Sequence, residues 1–198
     1  MYKNKIIENV YRKGNTIATI ISTLHEKNPR EEQHSKRVGE ICLNIGRSIG
    51  LSEFELRRLR VAGHLHDIGK IAIEESILNK PGKMTEQERE EIKRHPEIGS
   101  RILNSSCEMT DLVDCIWAHH ERWDGTGYPK GLKGEAIPRM ARIIALADSY
   151  DAMTSERSYR KALREEVILA EIRNNAGTQF DPEIARIFIE KVLNKQWD

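Results

Sequence analysis

The stretch Ala62-Gly63-His64-Leu65-His66-Asp67-Ile68-Gly69-Lys70 ends an apolar helical run on a histidine and an aspartate side by side. An imidazole nitrogen and a carboxylate are the donor types that hold borderline and hard divalent cations, and the two oxygens of a carboxylate let one Asp bridge two ions. Adjacent helical residues point about 100° apart, which suits gripping two neighbouring ions better than one. Taken alone, the pair is a weak signal and reads more readily as an imidazole N–H donating to a carboxylate at a helix end. Metal chemistry is favoured by the further supply of the same residue types: His34, His95, the doublet His119-His120 and Asp148 all stand beside apolar residues or at expected helix ends.

Helices must carry these side chains to one place. After Asn28-Pro29, Val38, Ile41, Cys42, Ile45 and Ile49 recur at three- and four-residue steps, and His34 lies on the same stripe. Ser52-Glu53-Phe54-Glu55 is a capping box that starts the next helix. Leu56, Leu59 and Ala62 form its inner stripe and His66 follows on that side, whereas His64 lies about 200° away and reads as a bystander. Gly69 lets the chain leave the helix, and Lys70 then reads either as an exposed surface lysine or as a phosphate anchor. Thr85-Glu86-Gln87-Glu88 caps a polar helix running to His95, and Pro96 suits the first turn of another.

A helix from roughly 110 to 121, with Leu112, Val113, Ile116 and Trp117 facing in, is expected to end on His119-His120 and offer one ligand to each of two metals. Residues 122–134 form a loop rich in Gly and Pro next to the doublet, and loops of this length in compact domains commonly carry function. Pro138 opens a helix whose run Ile143-Ile144-Ala145-Leu146-Ala147 ends in Asp148, a carboxylate expensive to bury unless paired or metal-bound. Asp151 shares its face and could orient a ligating histidine from behind. Arg157 and Arg160 could hold phosphates by forked hydrogen bonds. Helices at 165–174 and 182–194 close the chain and read as structural, with Asp181-Pro182 a helix start.

The 198 residues suit one compact domain, residues 28–198, preceded by a helical segment at 1–27. That segment carries no chemistry of its own; packing on the domain, pairing with a second copy in a homodimer, and linking to a sensor are its open roles. Charges nearly cancel to a net +1, which gives no hint of DNA or of a membrane surface. The three cysteines, Cys42, Cys107 and Cys115, lack C-x-x-C spacing and read as reduced thiols. Neither a membrane span nor a signal-peptide core is visible, so a cytoplasmic location is expected.

The sequence resembles the HD-GYP domains, a subgroup of the HD-domain metal-dependent phosphohydrolases. The resemblance runs from about residue 28 to 188 and rests on His66-Asp67-Ile68-Gly69-Lys70, Leu78-Asn79-Lys80-Pro81-Gly82, Arg94-His95-Pro96, His119-His120-Glu121-Arg122-Trp123-Asp124-Gly125, Gly127-Tyr128-Pro129 and Asp148-Ser149-Tyr150-Asp151-Ala152-Met153-Thr154. It implies an all-α helical bundle, with the Gly-Tyr-Pro loop beside the metal site, that hydrolyses cyclic di-GMP with a metal-activated hydroxide. The metal ligands it implies are His34, His66, Asp67, His95, His119, His120 and Asp148, with Asp67 as bridge. Lys70, Arg157 and Arg160 match positions that contact substrate phosphates, and Gly127, Tyr128 and Pro129 form the substrate loop.

One departure concerns Arg30, which stands where some members place a Glu that binds a third metal; Glu31 and Glu32 are near but out of register. The expectation is therefore a two-ion centre, with Fe or Mn favoured over Zn, Ni or Co, and ring opening to linear pGpG over complete cleavage to GMP. A cyclic-dinucleotide receptor without turnover, a docking module for signalling proteins, and an HD hydrolase of another nucleotide are the alternative readings.

Overall fold

The computed structural model describes residues 19, 21–23, 26, 29–80, 82–105, 109–156 and 161–197, and only the backbone of 29 and 30. The expected N-terminal helix therefore lies almost wholly outside the described residues, as do Pro81, Cys107, Arg157, Arg160 and the side chain of Arg30. The described residues form helices and no sheet, in keeping with the all-α expectation.

Helix α1 (Pro29–Ser48) starts on a proline, which loses nothing at a first turn where the N–H has no helical partner. It buries Val38, Cys42 and Ile45 against Leu59, Ala62 and Leu65 of α2 (Glu53–Leu65). Ser52 and Glu55 form the expected capping box, each bonding to the other's backbone N–H. A 3-10 turn (Ile68–Ala72) follows, then a short helix α3 (Glu75–Leu78) and α4 (Glu86–Ile92), which Thr85 and Glu88 cap as expected. His95 and Pro96 open α5 (His95–Asn104).

The helix expected at 110–121 is shorter than its pattern suggests. A 3-10 turn (Thr110–Leu112) leads into α6 (Val113–Trp117), and residues 118–120 already form a turn. The His119-His120 doublet therefore sits on irregular backbone just past the helix, where two adjacent side chains can face one centre. Helix α7 (Arg139–Thr154) is the axis of the core: Ala141, Ile143, Ile144, Leu146 and Ala147 are all buried. The closing segment comprises α8 (Glu165–Asn174) and α9 (Pro182–Ile187), after which the chain widens into a π turn (Phe188–Val192). Asp181 caps α9 and also takes the Arg142 guanidinium at 2.6 Å, which ties α9 to α7. None of the described helices is long and apolar enough to cross a membrane.

Gly69 has a different role from the one its position suggests. It is absent from the left-handed region, so it does not serve as a helix exit. Instead it lets the 3-10 turn touch α5: a Cβ built on it would stand 1.9 Å from the His95 carbonyl oxygen and 2.6 Å from the Gly99 nitrogen.

Candidate metal centre

Two sets of ligand atoms meet on Asp67. One comprises His34, His66 and Asp67, the other Asp67, His95, His119 and His120, and within each set the donor atoms lie within 4.8 Å of one another. Asp67 Oδ2 is 3.0 Å from His66 Nε2 and 3.8 Å from His34 Nε2, while Asp67 Oδ1 is 3.0 Å from His95 Nε2. Asp148 joins the first set, with Oδ1 at 3.3 Å from His34 Nε2 and 4.0 Å from His66 Nε2. The candidate ligands thus come together, and the carboxylate expected to bridge is the one both sets share. His64, buried on α2, belongs to neither set.

The backbone decides which ring nitrogen faces inward. Nδ1 of His66 lies 2.9 Å from the Gly63 carbonyl, that of His95 2.7 Å from Ile92, and that of His119 2.5 Å from Ile116. A carbonyl only accepts, so each Nδ1 must carry a proton and donate, and Nε2 is the ring nitrogen turned towards the centre, with a lone pair wherever the ring is neutral. His34 is fixed in the same way by Asp151, which Nδ1 meets at 2.7 Å. This is the arrangement by which outer groups orient metal-ligating imidazoles.

With those tautomers the centre is frustrated as a purely protein structure. His95 Nε2 and His119 Nε2 are 3.2 Å apart, so with both rings neutral one lone pair meets another. His66 Nε2 and Asp67 Oδ1 are buried with no hydrogen bond of acceptable geometry, despite their short contacts. Buried polar atoms converging without donors are what a cation would satisfy. Imidazole and carboxylate donors without thiolate suit borderline divalent ions. The residues therefore fit metal.

The two halves differ electrically. Burial opposes charge on His34, but hydrogen bonds to Asp148 and Asp151 outweigh it and push the imidazole up to about 10. His66 is likewise raised, Asp67 prevailing over burial. Burial raises Asp148 and Asp67, yet the hydrogen bond to His34 in the first case and the charge of His66 in the second hold both well below the usual carboxylate range. In the other half, burial and the neighbouring imidazoles push His120 down to about 3 and His119 well below its ordinary value. One half is thus a carboxylate-rich set that holds protons, whereas in the other His119 and His120 are held neutral.

Around the centre, Lys70 is not a free surface lysine: its ammonium bonds Asp67 Oδ2 at 2.6 Å and Glu31 Oε1 at 3.0 Å. The Tyr128 ring stacks on His120 with centroids 4.9 Å apart, and the Tyr128 N–H donates to the His120 carbonyl at 3.2 Å. Gly127 has no room for a side chain, since a Cβ would come within 2.3 Å of the Arg122 nitrogen, and Pro129 stands exposed beyond. The loop is pinned by Glu121, a buried carboxylate that accepts the N–H groups of Lys130 at 2.7 Å and Leu132 at 3.0 Å. Asp151 does back His34, and it is itself gripped by Arg37 through Nε at 2.5 Å and Nη2 at 3.0 Å.

Three contributors carry no chemistry in the sequence reading: Glu31, Arg37 and Glu121. Only Glu31 gives a usable signal, being one helical turn before His34 and so on its face. Arg37 and Glu121 find their partners across long-range or loop contacts that no local pattern marks.

A helical bundle whose His and Asp side chains form two donor sets around a shared carboxylate defines a candidate metal-binding domain. Residues 18–184 match the family model of the HD domain, and the chain belongs to that family, as its motifs led one to expect. It is 41% identical over 173 residues to the cyclic di-GMP phosphodiesterase response regulator RpfG of Xanthomonas campestris pv. campestris, covering 86% of this chain and 46% of that protein. It is 39% identical over 167 residues to the 3'3'-cGAMP-specific phosphodiesterase 2 of Vibrio cholerae, covering 83% of this chain and 31% of that protein. The chain thus spans less than half the length of these curated relatives. Among solved structures, Bd1817, an HDG"Y"P protein from Bdellovibrio bacteriovorus, shares the fold with a TM-score of 0.67 at 17% identity, over 91% of this chain and 61% of that one.

Proposed function

We propose that this domain is a metal-dependent phosphodiesterase that hydrolyses cyclic di-GMP, opening the ring to linear pGpG. The observation that carries the reading is the pair of donor sets sharing Asp67, with their lone pairs turned on one another. Support for the substrate class comes from relatives named as phosphodiesterases of cyclic di-GMP and of 3'3'-cGAMP. His34, His66, Asp67 and Asp148 would hold one divalent ion and Asp67, His95, His119 and His120 a second, with Fe or Mn favoured. Bound there, such ions supply Lewis-acid polarisation of a phosphoryl group and lower the pKa of water to near neutrality.

The chain's own residues do the rest. The backbone carbonyls of Gly63, Ile92 and Ile116 and the Asp151 carboxylate hold the imidazoles in one tautomer and one orientation, so no reorganisation is needed at the moment of reaction. Lys70, whose ammonium is kept charged by Asp67 and Glu31 against burial, places a positive charge at the rim for a substrate phosphate. Arg157 and Arg160 would add forked contacts to phosphate. The Gly127-Tyr128-Pro129 segment forms a wall beside His120 against which a nucleotide could lie.

The test is an anaerobic reaction with cyclic di-GMP and with 3'3'-cGAMP, resolving pGpG from GMP, with metal content measured on the same sample. Turnover of cyclic di-GMP to pGpG with two ions per chain is expected. Full activity in a His66→Ala or Asp67→Ala variant would refute the assignment, and preference for 3'3'-cGAMP would move the substrate within the class.

A further inference from the structure

Lys70 occupies an oxygen that the metal reading needs. Its ammonium is 2.6 Å from Asp67 Oδ2, and this is the same oxygen that faces His66 Nε2 at 3.0 Å and His34 Nε2 at 3.8 Å. The other oxygen, Oδ1, faces His95. An ion entering the His34, His66 and Asp67 set would therefore share Asp67 Oδ2 with a fixed positive charge. Two cations on one carboxylate oxygen repel strongly in a partly buried site.

We infer that Lys70 and the ion of the His34 set compete for Asp67 Oδ2, and that Glu31 is the positioning residue that holds the ammonium when the ion enters. The inference rests on the reading that this set binds metal. Glu31 is built for the role by placement: it lies one turn before His34 on α1, its side chain is only 12% exposed, and its Oε1 is 3.0 Å from Lys70 Nζ. Neither set of ligand atoms includes it, although its carboxyl group also lies against that of Asp67. Its negative charge balances Lys70, so an ion beside the pair meets a nearly neutral neighbour. Without that charge the ammonium would lean on Asp67 and hold the oxygen more tightly. Glu31 thus sets metal affinity through Lys70, and leaves the lysine paired at the rim, where a phosphate can take it over.

The test is a titration of the metal-free full chain with Mn2+, following free Mn2+ by electron paramagnetic resonance. Wild type is compared with Glu31→Gln, Lys70→Met, the double variant, and His34→Ala to identify the site concerned. Glu31→Gln weakens the His34-dependent site by about tenfold to a hundredfold, the range for groups that orient or tune a metal ligand, and leaves the other site within about twofold. Lys70→Met alone tightens the His34-dependent site by about threefold or more, since the competitor is gone. In the Lys70→Met background the effect of Glu31→Gln falls below about threefold, because Glu31 acts chiefly through the ammonium.

Unchanged affinity in a folded Glu31→Gln protein overturns the inference. An undiminished loss in the Lys70→Met background also overturns it, by showing that Glu31 is itself a ligand. Should Glu31→Gln not fold, unchanged or weaker Mn2+ binding in Lys70→Met is sufficient to overturn it. If His34→Ala binds Mn2+ as wild type does, the underlying metal reading fails instead, so the two failures are distinguishable.

Discussion

Replacing Gly69 by alanine tests whether the centre is assembled by backbone contact between the 3-10 turn and α5. The added Cβ would stand 1.9 Å from the His95 carbonyl oxygen, 2.6 Å from the Gly99 nitrogen and 2.9 Å from the His95 carbonyl carbon. Carbon and oxygen need about 3.4 Å, so the two elements must separate by roughly 1.5 Å. No flexible side-chain end can yield, because all three obstacles are backbone. Overpacking costs about 1–3 kcal/mol even where side chains can adjust, so about 3 kcal/mol is expected here. For a domain of this size that lowers the melting temperature by about 6–12 °C.

The same movement carries His95 away from Asp67, to which its Nε2 stands at 3.0 Å. A misplacement of about 1 Å can cost a hundredfold in activity, and the ion shared by Asp67, His95, His119 and His120 should be lost or weakened. The assays are thermal unfolding by circular dichroism, metal content, and turnover of cyclic di-GMP. A Gly69→Ala protein melting within about 2 °C of wild type and holding the same metal content would refute the reasoning, since the elements could not then be touching as described.

Three other outcomes are expected. Asp151→Asn keeps the shape but removes the charge that Arg37 and His34 share, so Mn2+ affinity at the His34 set should fall about tenfold to a hundredfold; unchanged binding by isothermal titration would count against an orienting role. Glu121→Gln places an amide against the N–H of Lys130 or Leu132, which should loosen the loop and raise the KM for cyclic di-GMP by about tenfold with a smaller effect on kcat; an unaltered KM would show that the loop needs no such pin. Filling the His34 set should release a proton, because His34, pushed up to about 10 by its carboxylates, is protonated at neutral pH and must lose that proton to bind an ion. Its apparent affinity should then rise by about tenfold per pH unit between roughly pH 6.5 and 8.5. His120, already neutral above about 3, gives no such slope. Calorimetry in buffers of different ionisation enthalpy checks this, and a pH-independent affinity at the His34 set would contradict it.

The local part of this protein was legible without coordinates. The capping boxes at Ser52 and Thr85, the proline start of α5 and the Asp181-Pro182 start of α9 depend on residues within one turn, and each formed as read. The stripe on α1 that carries His34 and the apolar run ending in Asp148 follow from helical periodicity alone. Two local readings erred for a tertiary reason. The pattern at 110–121 suggested one long helix, but the chain leaves it at Trp117, which lets both histidines of the doublet face the centre. Gly69 looked like a helix exit and proved to be a point of contact.

What the sequence alone determined was the stock of donors: imidazoles and carboxylates on helical stripes or at helix ends, with Asp151 in register behind Asp148. Tertiary structure decided how they are paired. His34 meets Asp151 across 117 positions of sequence, and the two oxygens of Asp67 are divided between His66 and His95. Glu31, Arg37 and Glu121 gain their roles only from what lies opposite them. Hydrogen bonds and charges act over a few ångströms, and the identity of a neighbour at that range is set by how helices pack, which no window of sequence contains.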